Sequence, residues 1–351
     1  MKRDTKVFDG NYLGRFVSEL EGLINVSHAI SIVGHFNPDG DSIGSVTAMK
    51  LFIQEFGKEA KVLLPSPAPD YLLFNDPKGE YLVYTKTPEE VERVVESSDL
   101  IICLDFNKIS RTEGMAESLN RAKGEKVLID HHVSPEVEAF DLVYSMPSAS
   151  STCELVFYLV LNSSKVKGDI ANFRYDCALA LSVGLLTDTN QFKNSTSVST
   201  FKMASLLLER GINLDELGQR VFGSYRESRM RLMGEMLRSR MMILKEYKAA
   251  YMVLTLEMQQ EFNYMRGDSE GFVNLPLLID GVEVSAMFTE DTDYIRVSLR
   301  SIGDFSVNKL SQAFFNGGGH ERAAGGRLHI PVEEVPAYFE DSLRKFVNGD
   351  Y

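Results

Sequence analysis

Short apolar runs alternate with segments of helical periodicity along the first 130 residues of the chain. The runs lie at 30–34, 62–64, 100–104 and 127–129. They are rich in Ile, Val and Leu, which is typical of strands that are buried on both faces. Between the first two runs, residues 42–56 place apolar side chains at helical spacing, and Gly57 suits a helix C-cap. The alternation predicts an α/β domain with a parallel, Rossmann-like sheet that is flanked by helices.

The pattern changes after residue 130. Helical segments are predicted at 151–161, 176–186, 200–208 and 214–222. A charged, methionine-rich stretch follows, and further on two predicted strands at 282–288 and 294–299 flank an acidic hairpin turn. We therefore predict a main domain at 1–213, a helical connector at 214–246 and a smaller α+β domain at 247–351.

Composition is that of an ordinary globular protein. The 351 residues suit two domains better than one, and 44% of them are apolar and 25% charged. No apolar run approaches the length that crosses a bilayer, and the N-terminus lacks the apolar stretch of a secretory signal. We therefore expect a cytoplasmic protein with no membrane partner, whose three scattered cysteines are buried and reduced.

The net charge of −13 restricts the kind of partner. A protein that grips long nucleic acid through many phosphates usually carries a basic stripe, and the sequence has none. A phosphate-bearing substrate would then be held by a few local cations. This favours small substrates over long polymers, and it leaves part of the acidic charge available as metal ligands.

Three groups of aspartate and histidine follow predicted strands. They are His35, Asp39 and Asp41 after 30–34, Asp105 after 100–104, and Asp130, His131 and His132 after 127–129. Ligands in α/β sheets collect beyond the carboxyl ends of the strands, so one crevice would receive all three groups. Each group alone has an ordinary alternative. Asp41 could cap the next helix, Asp105 could be an ordinary loop residue, and Asp130-His131-His132 could form a solvated turn. The chain has only six histidines, and three of them lie here, which favours a site.

Asp188 ends a very apolar predicted helix. A carboxylate there opposes the negative end of the helix dipole and favours a nearby cation, although an exposed Asp in a flexible turn needs none. Four aspartates and at least two histidines at one end of a sheet predict two divalent ions, about 3.5–4 Å apart, that activate water for attack on phosphorus. Mixed oxygen and imidazole ligands favour Mn²⁺ over Ca²⁺ or a cysteine-rich Zn²⁺ site, and Mg²⁺ stays open.

The ordered motifs resemble those of a known family. His35-Asp39-Asp41, Asp105, Asp130-His131-His132 and Asp188 are similar to the four signature motifs of the DHH phosphoesterase superfamily. The C-terminal sequence GGGHERAAGG resembles the hallmark of the DHHA1 substrate-binding domain. The resemblance covers nearly the whole chain and implies an N-terminal DHH domain and a C-terminal DHHA1 domain.

The resemblance also implies a role for each residue. One ion would be held by His35, Asp39 and Asp105. The other would be held by Asp41, Asp105, His131 and Asp188, so that Asp105 bridges the two. Asp130 would orient an imidazole by accepting a hydrogen bond, and His132 would face the phosphate. The predicted catalytic residues are therefore Asp105, Asp130 and His132.

A second set of residues in the C-terminal domain suits an anion. The glycines Gly317, Gly318 and Gly319 let backbone N–H groups approach a phosphate, and His320 and Arg322 add donors. Arg296 and Arg300 are four residues apart on a predicted strand, hence on one face, where they suit a phosphate or a base edge. The alternative is a tight glycine turn, with the arginines paired to acids near Asp291. The metal motifs favour substrate binding.

Within the superfamily, the chain's size resembles the NrnA-type oligoribonucleases that also act as pAp phosphatases. The resemblance implies hydrolysis of short single-stranded oligonucleotides to mononucleotides, and of 3′-phosphoadenosine 5′-phosphate to AMP. A homodimer is compatible with the sequence. A linear or cyclic dinucleotide phosphodiesterase, an exopolyphosphatase- or pyrophosphatase-like hydrolase, and a nucleotide-binding sensor without turnover stay open as alternatives.

Overall fold

A computed structural model describes residues 10–223 and 225–350, which form two compact units that divide after residue 224. The first nine residues of the predicted main domain, residue 224 of the predicted connector and the final residue lie outside the described residues. The two units are called unit 1 and unit 2 below.

Unit 1 contains a six-stranded parallel sheet. Its strands are β1 (Ile30–Val33), β2 (Ala60–Leu64), β3 (Leu82–Val83), β4 (Leu100–Leu104), β5 (Glu125–Asp130) and β6 (Leu142–Ser145). Their order is β3-β2-β1-β4-β5-β6, and β1 pairs in parallel with both β2 and β4. The strand order therefore reverses between β1 and β4, which is the switch point where α/β sheets bind ligands. The predicted Rossmann-like sheet is confirmed.

Both faces of this sheet are covered because its strands are apolar on both sides. Ile32 and Ile102 point into the larger core, whereas Val33 and Cys103 point into a second core on the opposite face. The helices of unit 1 are α1 (Gly10–Val26), α2 (Gly40–Gln54), α3 (Pro88–Ser97), α4 (Ala116–Arg121), α5 (Thr152–Leu161), α6 (Tyr175–Asp188), α7 (Val198–Glu209) and α8 (Leu214–Phe222). Side chains of α3 and α4 fill the second core, and those of α2, α5 and α6 fill the larger one.

Unit 2 is a smaller α+β structure around a mixed six-stranded sheet. Its strands are β7 (Met241–Leu244), β8 (Ala249–Leu254), β9 (Val284–Glu290), β10 (Ile295–Ser301), β11 (Gly318–His320) and β12 (Ala323–Leu328). They follow the order β11-β12-β10-β9-β8-β7, and only β8 and β9 run parallel. Its helices are α9 (Glu227–Glu235), α10 (Leu256–Glu261), α11 (Val307–Phe314) and α12 (Val335–Asn348). The predicted α+β class of this region is confirmed.

The structure differs from the predicted helical connector at 214–246. Helix α8 belongs to unit 1, α9 belongs to unit 2, and Met241–Leu244 forms an edge strand antiparallel to β8. Met, Leu and Arg all favour helices, which is why the sequence pattern indicates one. In Met241–Leu244, however, the backbone hydrogen bonds are made with β8. The tertiary context therefore outweighs the helix propensity of these residues.

Two further features of composition have structural counterparts. Among the described residues, no helix has both the length and the apolar character that a membrane span requires. The three cysteines, Cys103, Cys153 and Cys177, are buried and unpaired, as the sequence predicts.

Candidate metal centre

The loop after β1 and the start of α2 present three of the predicted ligands. Asp39 is the N-cap of α2, and its Oδ1 accepts hydrogen bonds from the backbone N–H groups of Asp41 (3.0 Å) and Ser42 (3.1 Å). The capping residue is therefore Asp39 and not Asp41. The ring Nδ1 of His35 lies 2.9 Å from the carbonyl of Phe36, so Nε2 faces the acidic side chains.

Asp105 lies at the centre of the cluster. It follows β4 directly and has a φ of +66°, a left-handed conformation that is uncommon for residues other than glycine. Its Oδ2 is 3.4 Å from Nε2 of His35, and its Oδ1 is 3.6 Å from Nε2 of His131. The hydroxyl of Thr152 donates a hydrogen bond of 3.0 Å to Oδ1. One carboxylate thus stands between two imidazoles.

The Asp-His-His triplet begins at Asp130, the last residue of β5. Asp130 is fully buried and accepts hydrogen bonds from the ring Nδ1 (2.7 Å) and the backbone N–H (3.0 Å) of His132. This leaves the Nε2 edge of the His132 ring facing away from Asp130. Nε2 of His131 lies 3.2 Å from Oδ2 of Asp188 and 3.8 Å from Oδ2 of Asp41. The two neighbouring imidazoles therefore have different surroundings.

Close contact between α2 and α6 brings Asp188 to the cluster. A Cβ atom at Gly184 would lie 2.5 Å from Oδ1 of Asp41 and 2.3 Å from Sγ of Cys153. A Cβ at Gly44 would lie 2.5 Å from the carbonyl oxygen of Ala180. Glycine at these positions lets the two helices approach closely, so the last residue of α6 reaches the first turn of α2.

The N-terminus of α5 holds Asp41 from the other side. The backbone N–H groups of Thr152 and Cys153 donate to its two carboxylate oxygens, at 2.6 and 2.8 Å. The positive end of a helix stabilises a carboxylate in this position. Ser151 also caps α5 by accepting the N–H of Glu154. Thr152 is a residue of the site that the sequence analysis missed.

Burial and mutual repulsion dominate the electrostatics of the cluster. Burial, with the nearby charges of other aspartates, raises the pKa of Asp41 and of Asp188 well above the ordinary range. Burial acts to lower the pKa of His35, but its hydrogen bonds to Asp105 and Asp39 outweigh burial and raise that pKa to about 10. The pKa of Asp105 is lowered: burial acts to raise it, but the hydrogen bond to His35 and the charges of the nearby histidines together have the larger effect. For His131, burial followed by the charge of His132 lowers the pKa.

The donor set fits divalent cations. The groups of three side chains whose ligand atoms lie within 4.8 Å of one another include two that match the predicted ligands: His35, Asp39 and Asp105, and Asp41, Asp105 and His131. Asp188 joins the second group through its short distance to His131. Besides burial, the charge of Asp41 contributes to the raised pKa of Asp188, and a bound cation would relieve this repulsion. Both groups share Asp105.

The arginines predicted to bind substrate lie together on β10 in unit 2. Arg296, Ser298 and Arg300 are half-buried on one face, and Ile295, Val297 and Leu299 are buried on the other. Arg296 Nη2 lies 3.4 Å from both the hydroxyl of Tyr264 and that of Ser269. Arg300 donates to the carbonyl of Leu299, and burial lowers its pKa. Neither arginine has a carboxylate within 4.0 Å among the described residues, so the alternative pairing with acids near Asp291 is not seen.

The glycine cluster forms β11 and the chain before it. A Cβ at Gly317 would lie 1.9 Å from the carbonyl oxygen of Gly325, and Gly319 has a φ of +150° and donates its N–H to Asn308. Packing therefore requires glycine at these two positions, whereas a Cβ at Gly318 would meet nothing closer than 3.5 Å. His320 of β11 is paired with Ala323 of β12, and Ala323 is paired on its other side with Arg300 of β10. Arg322 is exposed in the turn between β11 and β12.

Comparisons with known proteins agree with this architecture. The model of the DHH family, N-terminal domain, matches residues 29–185, and the model of the DHHA1 domain matches residues 246–348. The chain is 29% identical to the bifunctional oligoribonuclease and PAP phosphatase NrnA of Thermus thermophilus, over 90% of this chain and 88% of that protein.

Two other relatives are similar over nearly all of this chain. It is 26% identical to the cyclic-di-AMP phosphodiesterase GdpP of Bacillus subtilis, over 94% of its own length and 50% of GdpP. The crystal structure of an exopolyphosphatase-related protein from Bacteroides fragilis superimposes with a TM-score of 0.88 and 37% identity, covering 95% of this chain and 96% of that one.

Proposed function

Because the chain belongs to the DHH family of phosphoesterases, with a DHHA1 domain after the DHH domain, we propose that it hydrolyses short oligonucleotides to mononucleotides and 3′-phosphoadenosine 5′-phosphate to AMP. The observation that carries this proposal is the Asp105-centred cluster, in which one buried carboxylate joins two groups of ligands. The similarity to NrnA over most of both chains supports the choice of substrate.

The proposed metal ligands are divided between two positions. His35, Asp39 and Asp105 would hold one divalent ion, and Asp41, Asp105, His131 and Asp188 the other. Mn²⁺ is the proposed ion, with Mg²⁺ as the second choice, because the ligands combine carboxylates with imidazoles. Bound divalent ions would supply a water of lowered pKa and positive charge for the phosphoryl group.

The side chains around the ligands have proposed roles of their own. Asp130 binds Nδ1 of His132, which fixes the orientation of the ring and directs Nε2 away from Asp130. We assign His132 to donate a hydrogen bond from Nε2 to a phosphoryl oxygen. Thr152 fixes the carboxylate of Asp105 through its hydroxyl, so that both oxygens of Asp105 keep their directions.

Residues of unit 2 are proposed to contribute to substrate binding. Arg296 and Arg300 lie on one face of β10 without carboxylate partners among the described residues, and burial of Arg300 makes an anionic partner favourable. The proposed substrate-binding set is completed by Gly318, Gly319 and His320 on β11, by Gly317 just before it and by the exposed Arg322. Two arginines match one or two phosphates, which supports a very short substrate.

A substrate panel tests the proposal. Purified protein would be incubated with Mn²⁺, Mg²⁺ or EDTA and with labelled RNA and DNA of two to ten nucleotides, 3′-phosphoadenosine 5′-phosphate, cyclic di-AMP, pyrophosphate and polyphosphate. We expect Mn²⁺-dependent turnover that is fastest on the shortest oligonucleotides. Asp105→Ala should abolish it, and Asp215→Asn, an exposed change in the same unit, should leave it unchanged.

Other results of the substrate panel would indicate a different activity. Preference for cyclic di-AMP would favour the activity named for GdpP, to which the chain is also similar. Preference for polyphosphate or pyrophosphate would identify a different phosphohydrolase. Tight nucleotide binding with no turnover under any metal would overturn the enzymatic proposal and leave a nucleotide-binding sensor.

A further inference from the structure

Glu154 in α5 is a fully buried carboxylate without a cationic partner among the described residues. Its Oε2 accepts three hydrogen bonds, from the backbone N–H (2.7 Å) and hydroxyl (2.5 Å) of Ser150 and from the hydroxyl of Thr200 (3.2 Å). Its buried Oε1 has no hydrogen-bond partner in the described part of the chain. Burying a charge in this way is costly, so the residue calls for a physical explanation.

Two helix N-termini explain how the charge is tolerated. Glu154 is the third residue of α5, after the N-cap Ser151, and Thr200 is the third residue of α7, after the N-cap Ser197. The positive ends of both helix dipoles therefore lie beside this carboxylate. Capping alone does not account for it, because a capping-box glutamate binds the N–H of its own N-cap residue. Glu154 instead binds Ser150 and reaches across to a second helix.

Both helix starts are connected to the candidate metal centre. The first residues of α5 hold Asp41 through two backbone N–H groups and Asp105 through the hydroxyl of Thr152. Helix α7 follows the segment that begins at Asp188, and the ring of Phe201 in α7 stacks on Phe192 of that segment at 5.6 Å. Glu154 thus joins α5, which holds Asp41 and Asp105, directly to α7, the helix that follows Asp188 along the chain.

We propose that Glu154 is a positioning residue, which sets the spacing of Asp41, Asp105 and Asp188 by joining the N-termini of α5 and α7. This inference rests on the proposed function, because it assumes that those aspartates bind divalent ions. Outer partners of metal ligands commonly change metal affinity by about 10–100-fold when they are replaced. The second group of ligands, which contains Asp41 and Asp188, should be affected more than the group of His35 and Asp39.

The test measures Mn²⁺ binding to the full chain by titration calorimetry. Glu154→Gln, which keeps the shape and removes the charge, should weaken one of two Mn²⁺ sites by about 10–100-fold. Thr200→Val should weaken the same site, and Thr200→Ser, which keeps the hydroxyl, should restore it. The matched control is Tyr158→Phe, because Tyr158 also joins α5 to α7, through its hydroxyl to the carbonyl of Ser199 (2.7 Å), one turn further along α5. The control should keep both sites.

Hydrolysis of a dinucleotide by the same variants adds a second measurement. We expect kcat to fall with the weakened site while KM changes little, because the proposed substrate-binding residues lie in unit 2. Wild-type affinity in Thr200→Val, or equal losses in Thr200→Val and Tyr158→Phe, would overturn the positioning role. This comparison decides the matter even when Glu154→Gln does not fold. A wild-type protein that binds no Mn²⁺ would instead overturn the proposed function itself.

Discussion

The carboxylate of Asp188 occupies a position that a metal-free protein does not favour. It ends α6, where the helix dipole is negative, and burial together with Asp41, Asp39 and Asp105 raises its pKa well above the ordinary range. A raised pKa in the folded state means that folding takes up a proton. Stability of the metal-free protein should therefore fall as the pH rises above about 4, the ordinary value for an aspartate.

Asp188→Asn should relieve this repulsion. We expect the melting temperature of the metal-free variant at neutral pH to rise by about 2–4 °C, which corresponds to roughly 1 kcal/mol in a unit of this size. The rise in melting temperature that Mn²⁺ causes should be smaller than in the wild type, since one ligand is lost. Thermal unfolding with EDTA and with Mn²⁺ measures both quantities, with Asp215→Asn as the control. A metal-free variant that is less stable than the wild type would contradict the electrostatic account.

Individual residues differed in how readily the sequence revealed them. His35, Asp105 and the Asp-His-His triplet each follow a short apolar run, so the position of a strand end was enough to place them at one edge of a sheet. Thr152 and Glu154 gave no such signal, because a Ser-x-x-Glu pattern is explained fully by helix capping. Their contacts with Asp105 and Thr200 depend on how α5 packs against the end of β4 and against α7, which local sequence does not specify.

At the element scale, the approach of α2 to α6 decides whether Asp41 and Asp188 meet. Gly184→Ala would place a methyl group 2.5 Å from Oδ1 of Asp41, so α6 must shift away from α2. We expect a loss of stability of about 1–3 kcal/mol from overpacking and a fall in Mn²⁺ affinity of roughly tenfold or more. Denaturant unfolding and Mn²⁺ titration measure the two effects.

Gly218→Ala in α8 is the matched control for this helix–helix contact. No heavy atom lies within 4 Å of a Cβ at that position, so the change should be neutral or stabilise the helix by about 0.5–1 kcal/mol. Mn²⁺ affinity should stay at the wild-type value. Equal Mn²⁺ affinities in the two variants would show that close packing at Gly184 does not position the ligands.

Elements with strong periodicity were predicted well, and elements defined by pairing were not. Leu100–Leu104 and Leu214–Phe222 have the predicted bounds, because an all-apolar run and a clear helical stripe each carry their own signal. The strands β6 and β7 were missed. Tyr144 is buried beside β5 while its neighbours in β6 are half-exposed, and β7 is a short edge strand within a helix-favouring sequence. Both are strands only because a neighbouring strand pairs with them.

At the scale of the whole molecule, acidic charge and a small number of cations should determine substrate length. The chain has a net charge of −13, and the proposed substrate-binding face of β10 contributes two arginines, Arg296 and Arg300. If these arginines bind substrate as proposed, each additional phosphate of a long substrate would add repulsion without adding a contact to β10. Within the proposed substrate-binding set, Arg296 and Arg300 are half-buried, whereas Arg322 is exposed and its charge is screened by salt. We therefore expect affinity to depend mainly on two phosphate contacts, whatever the length of the oligonucleotide.

The salt dependence of hydrolysis measures the number of these contacts. For single-stranded substrates, log affinity falls by about 0.7 per phosphate contact for each tenfold increase in salt, so two contacts predict a slope of roughly −1.4. We expect this slope, from kcat/KM at several salt concentrations, to be similar for a dinucleotide and a decanucleotide. Arg300→Gln should reduce the magnitude of this slope by about half, because one contact is removed. The control Lys61→Gln, at an exposed position in unit 1, should leave the slope unchanged. A slope that steepens steadily with substrate length would instead indicate an extended nucleic-acid groove, and it would rule out a site limited to the two arginines of β10.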